Sequence, residues 1–160
     1  MATSPIRPTT DEARVLARRL LAEARHGALG VLDPGTGAPV VSRVAVGLHA
    51  GEPLILVSAL AAHAGALRAD PRCSLLLGEP GRGDPLAHPR LTLLARAEAA
   101  DKAALRPGWL AQHPKSALYF DFADFALLRL RMGEAHLNGG FGRAFRLGPE
   151  DLAAALGGPA

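Results

Sequence analysis

At 160 residues the chain is one domain by size, long enough to bury a core without disulfide or metal staples. It is 49% hydrophobic but only 4% aromatic, so Leu, Val and Ala build the core, and 18 Lys plus Arg against 15 Asp plus Glu leave a net charge of +3. The cations form no basic stripe interleaved with aromatics, which speaks against a nucleic-acid partner, and the single Cys73 excludes an internal disulfide and any multi-cysteine metal site.

Residues 1–8 read as a disordered arm, and residues 9–160 as a single domain. Met1 to Pro8 lacks the apolar core of a signal peptide, and no apolar run approaches membrane-spanning length. With one cysteine, the expectation is a cytoplasmic protein with no membrane partner.

Thr9-Thr10-Asp11-Glu12 makes a capping-box pattern. The helix it opens carries Leu16, Ala17, Leu20, Leu21 and Ala24 opposite Arg14, Arg18 and Arg25, with Gly27 as its stop. This stripe suits a helix covering a barrel mouth or a sheet face. Ala28 to Asp33 and Val40 to Leu48 read as strands reversed by the Pro34 to Pro39 cluster, and Pro53 to Val57 as a third after the Ala50-Gly51 turn. Arg43 follows Ser42 in an otherwise apolar strand, so its guanidinium must reach solvent, a partner or an anion.

Leu54 to Val57 and Leu75 to Leu77 read as strands buried on both faces. Between them Ser58, His63 and Arg68 open a short helical segment that ends at Asp70-Pro71. Ser58 stands where strand gives way to helix, and its hydroxyl suits either a helix cap or a phosphate oxygen, since both roles use one geometry. Arg68 and Arg72 flank Asp70-Pro71; a surface salt bridge is expected for Arg68, leaving Arg72 for function.

A Gly-rich loop spans Gly78 to Asp84, in which Asp84 would take Arg90 or Arg43 as partner. Arg90 to Ala100 reads as a strand, followed by helical turns at Asp101 to Ala104 and Trp109 to Gln112, broken at Pro107-Gly108. Core packing is the default for Trp109 and Tyr119. Phe125 to Leu137 and Phe141 to Leu147 read as the last strands, and Pro149 to Leu156 as a terminal helix. In Asn138-Gly139-Gly140-Phe141-Gly142-Arg143 the glycines permit positive φ, and Arg143 is placed to approach a phosphate or a partner subunit.

Six or seven strands joined by hairpins fit a mainly β fold with flanking helices, a split or closed antiparallel barrel, better than repeated βαβ units. Other templates fail. Gly140-Phe141-Gly142 opens no helix after a strand, Gly78 to Gly83 lacks the lysine and hydroxyl of a phosphate loop, and the histidines show no metal-binding helix spacing, so no metal site is expected. No serine stands in a nucleophile-elbow pattern, and the catalytic residues are unknown at this level.

Ser58-x-Leu60-Ala61-x-His63, then Leu67-x-Ala69-Asp70-Pro71-Arg72-x-Ser74-Leu75-Leu76, resembles the FMN-binding split barrels related to pyridoxamine-5'-phosphate oxidase, in the HugZ-type heme-utilisation branch. Gly83-Asp84-Pro85-Leu86-x-x-Pro89-Arg90-Leu91-Thr92, His113-Pro114-Lys115 through Asp124-Phe125-Ala126, and Gly139 to Ala144 follow in the same order. The chain reads as a short form without that branch's further C-terminal domain. The resemblance implies a homodimer with FMN at the subunit interface, held by Arg43, Ser58, Leu60 and His63, with Arg72 and Arg143 as further cofactor-binding candidates. It implies an oxidoreductase acting on an unidentified small-molecule substrate. Two alternatives stand beside it: a heme-binding or heme-degrading protein, with heme as cofactor, and a cofactor-free dimeric binding module. The last is motivated by Ala64 and Ala66, where the family pattern has Thr and Asn.

Overall fold

A computed structural model describes residues 4–153. Eight strands form one sheet: β1 (Ile6–Arg7), β2 (His26–Leu32), β3 (Pro39–His49), β4 (Glu52–Ser58), β5 (Arg72–Leu77), β6 (Arg90–Ala99), β7 (Phe125–Asn138) and β8 (Ala144–Leu147). Their order is β1-β8-β7-β4-β3-β2-β5-β6, and pairing of β6 with β7 closes the last six, β7 to β6, into an antiparallel barrel. Closure removes the exposed edges that such a sheet would otherwise carry. β7 makes it possible: 14 residues long, it pairs with β4 through its first half and with β8 through its second, and a register shift opposite Leu93 and Ala95 bends it.

Four helices complete the fold: α1 (Asp11–Glu23), α2 (Ala62–Ala69), α3 (Lys102–Gln112) and α4 (Pro149–Ala153). Thr10 caps α1, its hydroxyl accepting from the Ala13 amide at 3.2 Å. Ala13, Ala17 and Leu21 enter the barrel core. Helix α1 stops at Ala24, short of Gly27, because Gly27 is already a β2 residue whose absent Cβ would lie 2.8 Å from the Leu76 carbonyl. Strand β2 therefore packs so closely on β5 that only glycine fits there.

Strand β4 is apolar throughout because it is covered twice. Ile55 and Val57 face the barrel interior, while Leu54 and Leu56 face out beneath α3, in a second core with Leu105, Trp109, Phe120 and Leu127. β5 differs from the expectation of burial on both faces: Leu75 and Leu77 are inside, but Leu76 points outward and is 42% exposed. Among the described residues no helix covers that arc of the barrel.

Several other expectations are corrected. Ile6 and Arg7, expected in a disordered arm, pair in parallel with Ala144 and Phe145 of β8. Helix α3 runs unbroken through Pro107, since Asp101 caps it and buried Leu105 and Trp109 anchor it on both sides; the bond lost to the exposed Ala103 is tolerated. β8 begins at Ala144 because Gly140 and Gly142 adopt positive φ and hold Phe141 in an exposed turn. Residues 154–156 of the expected terminal helix lie outside the described residues. Among the described residues no helix is long and apolar enough to cross a membrane.

Candidate cofactor site

Strand alternation divides the candidate residues between two faces. On β3, Val44 and Val46 point into the barrel, so Ser42 shares the inner side, while Arg43 lies on the outer side with Ala45 and Gly47. Ser42 Oγ lies 3.2 Å from His63 Nδ1, which joins β3 to the first turn of α2. Burial pushes the His63 imidazole below its ordinary value, leaving it neutral near pH 7.

A lowered folded-state value means that His63 adds stability fully present above its unfolded value of about 6.5 and lost as the pH falls through the folded one. His63→Gln is therefore expected to reduce the loss of stability between pH 7 and pH 5 in urea titrations. A ring titrating at or above 6.5 by NMR would contradict this account.

Ser58 ends β4 opposite Phe125, and does not cap α2. Its hydroxyl accepts from the Leu60 amide at 3.2 Å and its carbonyl from the Ala61 amide at 3.0 Å, making a tight turn that leaves Leu60 88% exposed. The N-cap of α2 is Ala61, with no side-chain cap, so its first turn offers amides to an incoming acceptor. Ala64 and Ala66 are buried against the barrel core.

The ion pair at Asp70 forms with Arg72 and not with Arg68 as expected. Arg72 pairs with Asp70, Nη2 to Oδ2 at 2.6 Å and Nε to Oδ1 at 3.0 Å, and this guanidinium holds the Asp70 carboxyl down at about 2. Arg68 has no ion-pair partner among the described residues. The reason is local: the extended backbone at Asp70 and Pro71 swings the next side chain back over the carboxylate. Asp84 likewise takes neither Arg90 nor Arg43; its Oδ1 accepts from the Leu86 amide at 2.9 Å, while Arg90 donates to the Leu86 and His88 carbonyls.

Arg143 is exposed after the Gly139 to Gly142 turn, at the far end of β7 from Ser58. The 13 steps of β7 between Phe125 and Asn138 span roughly 40 Å, so one subunit cannot bring Ser58 and Arg143 to the same small ligand. Trp109 packs in the core as expected, 1% exposed, whereas Tyr119 lies at the surface, 37% exposed, with its ring tilted against Phe125.

Pairing also assembles a row that no local pattern announces. Arg43, Ala28, Leu76, Thr92, His136 and Arg146 are successive partners across β3, β2, β5, β6, β7 and β8, all on the outer face. Strand spacing makes this an arc of about 24 Å. A groove of about 380 Å³ lies at its far end, beside Leu76, Arg90, Thr92, His136 and Arg146. There Glu134 accepts from His136 Nε2 at 2.6 Å and from Arg146 Nε at 3.1 Å. The middle of the arc is apolar at Ala28 and Leu76, with Leu76 and the neighbouring Leu94 and Val41 exposed. Arg43 was visible in the sequence; His136 and Arg146 were not, because only the β6–β7–β8 register places them in line with it. Among the described residues no group of three His, Cys, Asp or Glu is placed to hold a metal ion.

No family model matches the chain. An alignment 100 positions long, which covers 59% of this chain, is 36% identical to the chloroplastic non-canonical heme oxygenase HOZ of Arabidopsis thaliana, and spans 30% of that protein's length. The solved heme binding protein of Mycobacterium smegmatis shares 35% identity over 93% of this chain and 62% of its own, with a TM-score of 0.82. A pyridoxinephosphate oxidase family protein of Clostridium acetobutylicum, related to general stress protein 26, superposes with a TM-score of 0.70 over 90% of this chain and 99% of its own; at 12% identity it speaks for the fold alone. The six-stranded closure, the Ser58 turn into α2 and these likenesses agree, and the chain belongs to the split-barrel proteins related to pyridoxamine-5'-phosphate oxidase, in their HugZ-type heme-utilisation branch.

Proposed function

We propose that the protein binds heme on the outer face of its barrel, between the two copies of a cytoplasmic homodimer, as a heme-utilisation protein. The observation that carries this reading is the row from Arg43 to Arg146: an apolar floor of Ala28 and Leu76 bounded by guanidinium groups at both ends. A tetrapyrrole is a planar apolar disc with carboxylates on its rim, and guanidinium groups match carboxylates in planar, bidentate contact. Arg43 is free of ion pairs among the described residues and is suited to such a carboxylate. His136 and Arg146, both held by Glu134, would orient the opposite side. Bound heme would supply the iron-centred redox chemistry, while the chain supplies binding, orientation and exclusion of water. Two relatives at 35% and 36% identity carry heme in their names, which supports the choice.

The second reading is FMN and a flavin-dependent oxidoreductase. The open first turn of α2 favours it, with Ser58, Leu60 and His63 around a strand-to-helix turn suited to a phosphate. Burial of Ala64 and Ala66, neutrality of His63 and the pairing of Arg72 leave that turn with little positive charge. In this second reading Arg143 would reach the cofactor from the second copy, since Ser58 and Arg143 lie at opposite ends of β7. Titration of the purified protein with hemin and with FMN separates the readings. A Soret band that saturates at one hemin per chain, and weakens at least tenfold with Arg43→Ala, is the expected result. Saturable flavin binding without a Soret band would replace it by the second reading, and neither would leave the cofactor-free module.

A further inference from the structure

Helix α2 carries the chain from β4 to β5 across one mouth of the barrel. Its eight residues span only about 12 Å, and it lies over the β3 and β2 side, tied there by His63 and Ser42. The β6 and β7 side of the same mouth stays open, and a cleft of about 270 Å³ occupies it. The cleft is walled by Ala59, Ala64, Ala97, Ala99 and Ala126 over Leu128, so it exists because five side chains are no more than methyl groups.

Two charged groups stand at its rim. Glu98 already accepts from Arg131 Nε at 2.9 Å. Arg68, from the last turn of α2, is exposed and has no partner among the described residues. The cleft therefore presents an apolar interior and one uncompensated cation, which selects for an apolar body ending in an anion and against a neutral or cationic ligand of the same shape.

We propose that this open half of the barrel mouth is a binding site for a medium-chain carboxylate, its head on Arg68 and its apolar body among the alanines. The volume holds about nine groups at ~30 Å³ each, the size of a C8 to C10 acid. The site is separate from the outer-face row and does not depend on which cofactor, if any, occupies that face.

The test is calorimetric titration of the full chain, without added cofactor, with octanoate and with octan-1-ol. Octanoate is expected to bind with one-to-one stoichiometry and at least tenfold more tightly than the alcohol. Arg68→Gln is expected to bring octanoate down to the level of the alcohol. Ala126→Leu, at an exposed rim position, is expected to abolish binding of both, and Ala99→Leu provides the same test if the first variant does not fold. Failure of octanoate to saturate the wild-type protein would overturn the proposal. So would an octanoate affinity unchanged by Arg68→Gln, or by whichever leucine variant folds. Hemin titration of the same variants keeps the two proposals apart, since loss of octanoate with hemin binding intact touches only this site.

Discussion

Trp109→Ala is expected to lower the free energy of unfolding by about 4 kcal/mol, the range for emptying a large aromatic site in a core. Trp109 is the centre of the outer core, against Leu54, Leu56 and Phe120. It fills the space above Gly47, where a Cβ would come within 2.9 Å of its ring. Its Nε1 donates to Ser116 Oγ at 2.9 Å, and the His113 ring stacks on it at 4.5 Å. His113 in turn reaches the Val46 carbonyl at 2.8 Å, so the tryptophan helps fix the segment after α3 to β3. Truncation leaves a cavity, a buried Ser116 hydroxyl that has lost its donor but still donates to the His113 carbonyl, and a loosened His113 ring together. Urea denaturation checks the value; a cost near 1 kcal/mol would mean that α3 is not what covers β3 and β4. Trp109→Phe should cost less, since it retains most of the packing and loses the hydrogen bond.

Leu76→Glu is expected to turn a dimer into a monomer and to weaken hemin at least a hundredfold while the fold survives. This rests on the heme reading and on the uncovered arc of the barrel. Leu76 sits at the middle of the row, between Ala28 and Thr92, with Leu94 and Val41 beside it. A carboxylate there would place two like charges against each other across a two-fold interface, and would repel the carboxylates of the ligand. Leu75→Glu supplies the contrast, because Leu75 is wholly buried and an unpaired charge there is expected to unfold the protein. Light scattering and hemin titration report the two effects. A Leu76→Glu variant that remains dimeric would show that the partner covers another face.

Much of the fold was legible because it is written in short repeats. Alternation along Val44, Val46 and Leu48, the Thr10 cap, the Pro34 to Pro39 reversal and the two-glycine turn before Arg143 each depend on residues a few positions apart. The misreadings share one cause. Leu75-Leu76-Leu77 is apolar throughout, and nothing local distinguishes a strand covered twice, like β4, from one whose outer face is bare. Pro107 breaks a helix in isolation, but buried neighbours on either side of it hold α3 together. Arg68 and Arg72 are equivalent by spacing from Asp70, and only the backbone path through Pro71 decides which one turns back onto the carboxylate.

The sequence alone determined most of the barrel strands, the alternation of β3, the strand-to-helix turn at Ser58 and the family resemblance, because side-chain period and turn chemistry act over two to four residues. The tertiary structure alone decided which residues meet. Register across six strands aligns Arg43 with His136 and Arg146, which are about a hundred positions away, and the length of β7 carries Arg143 away from Ser58. The direction of α2 leaves half of the barrel mouth open over its alanines. Each of these is set by closure of the barrel, a long-range condition that a local pattern does not contain.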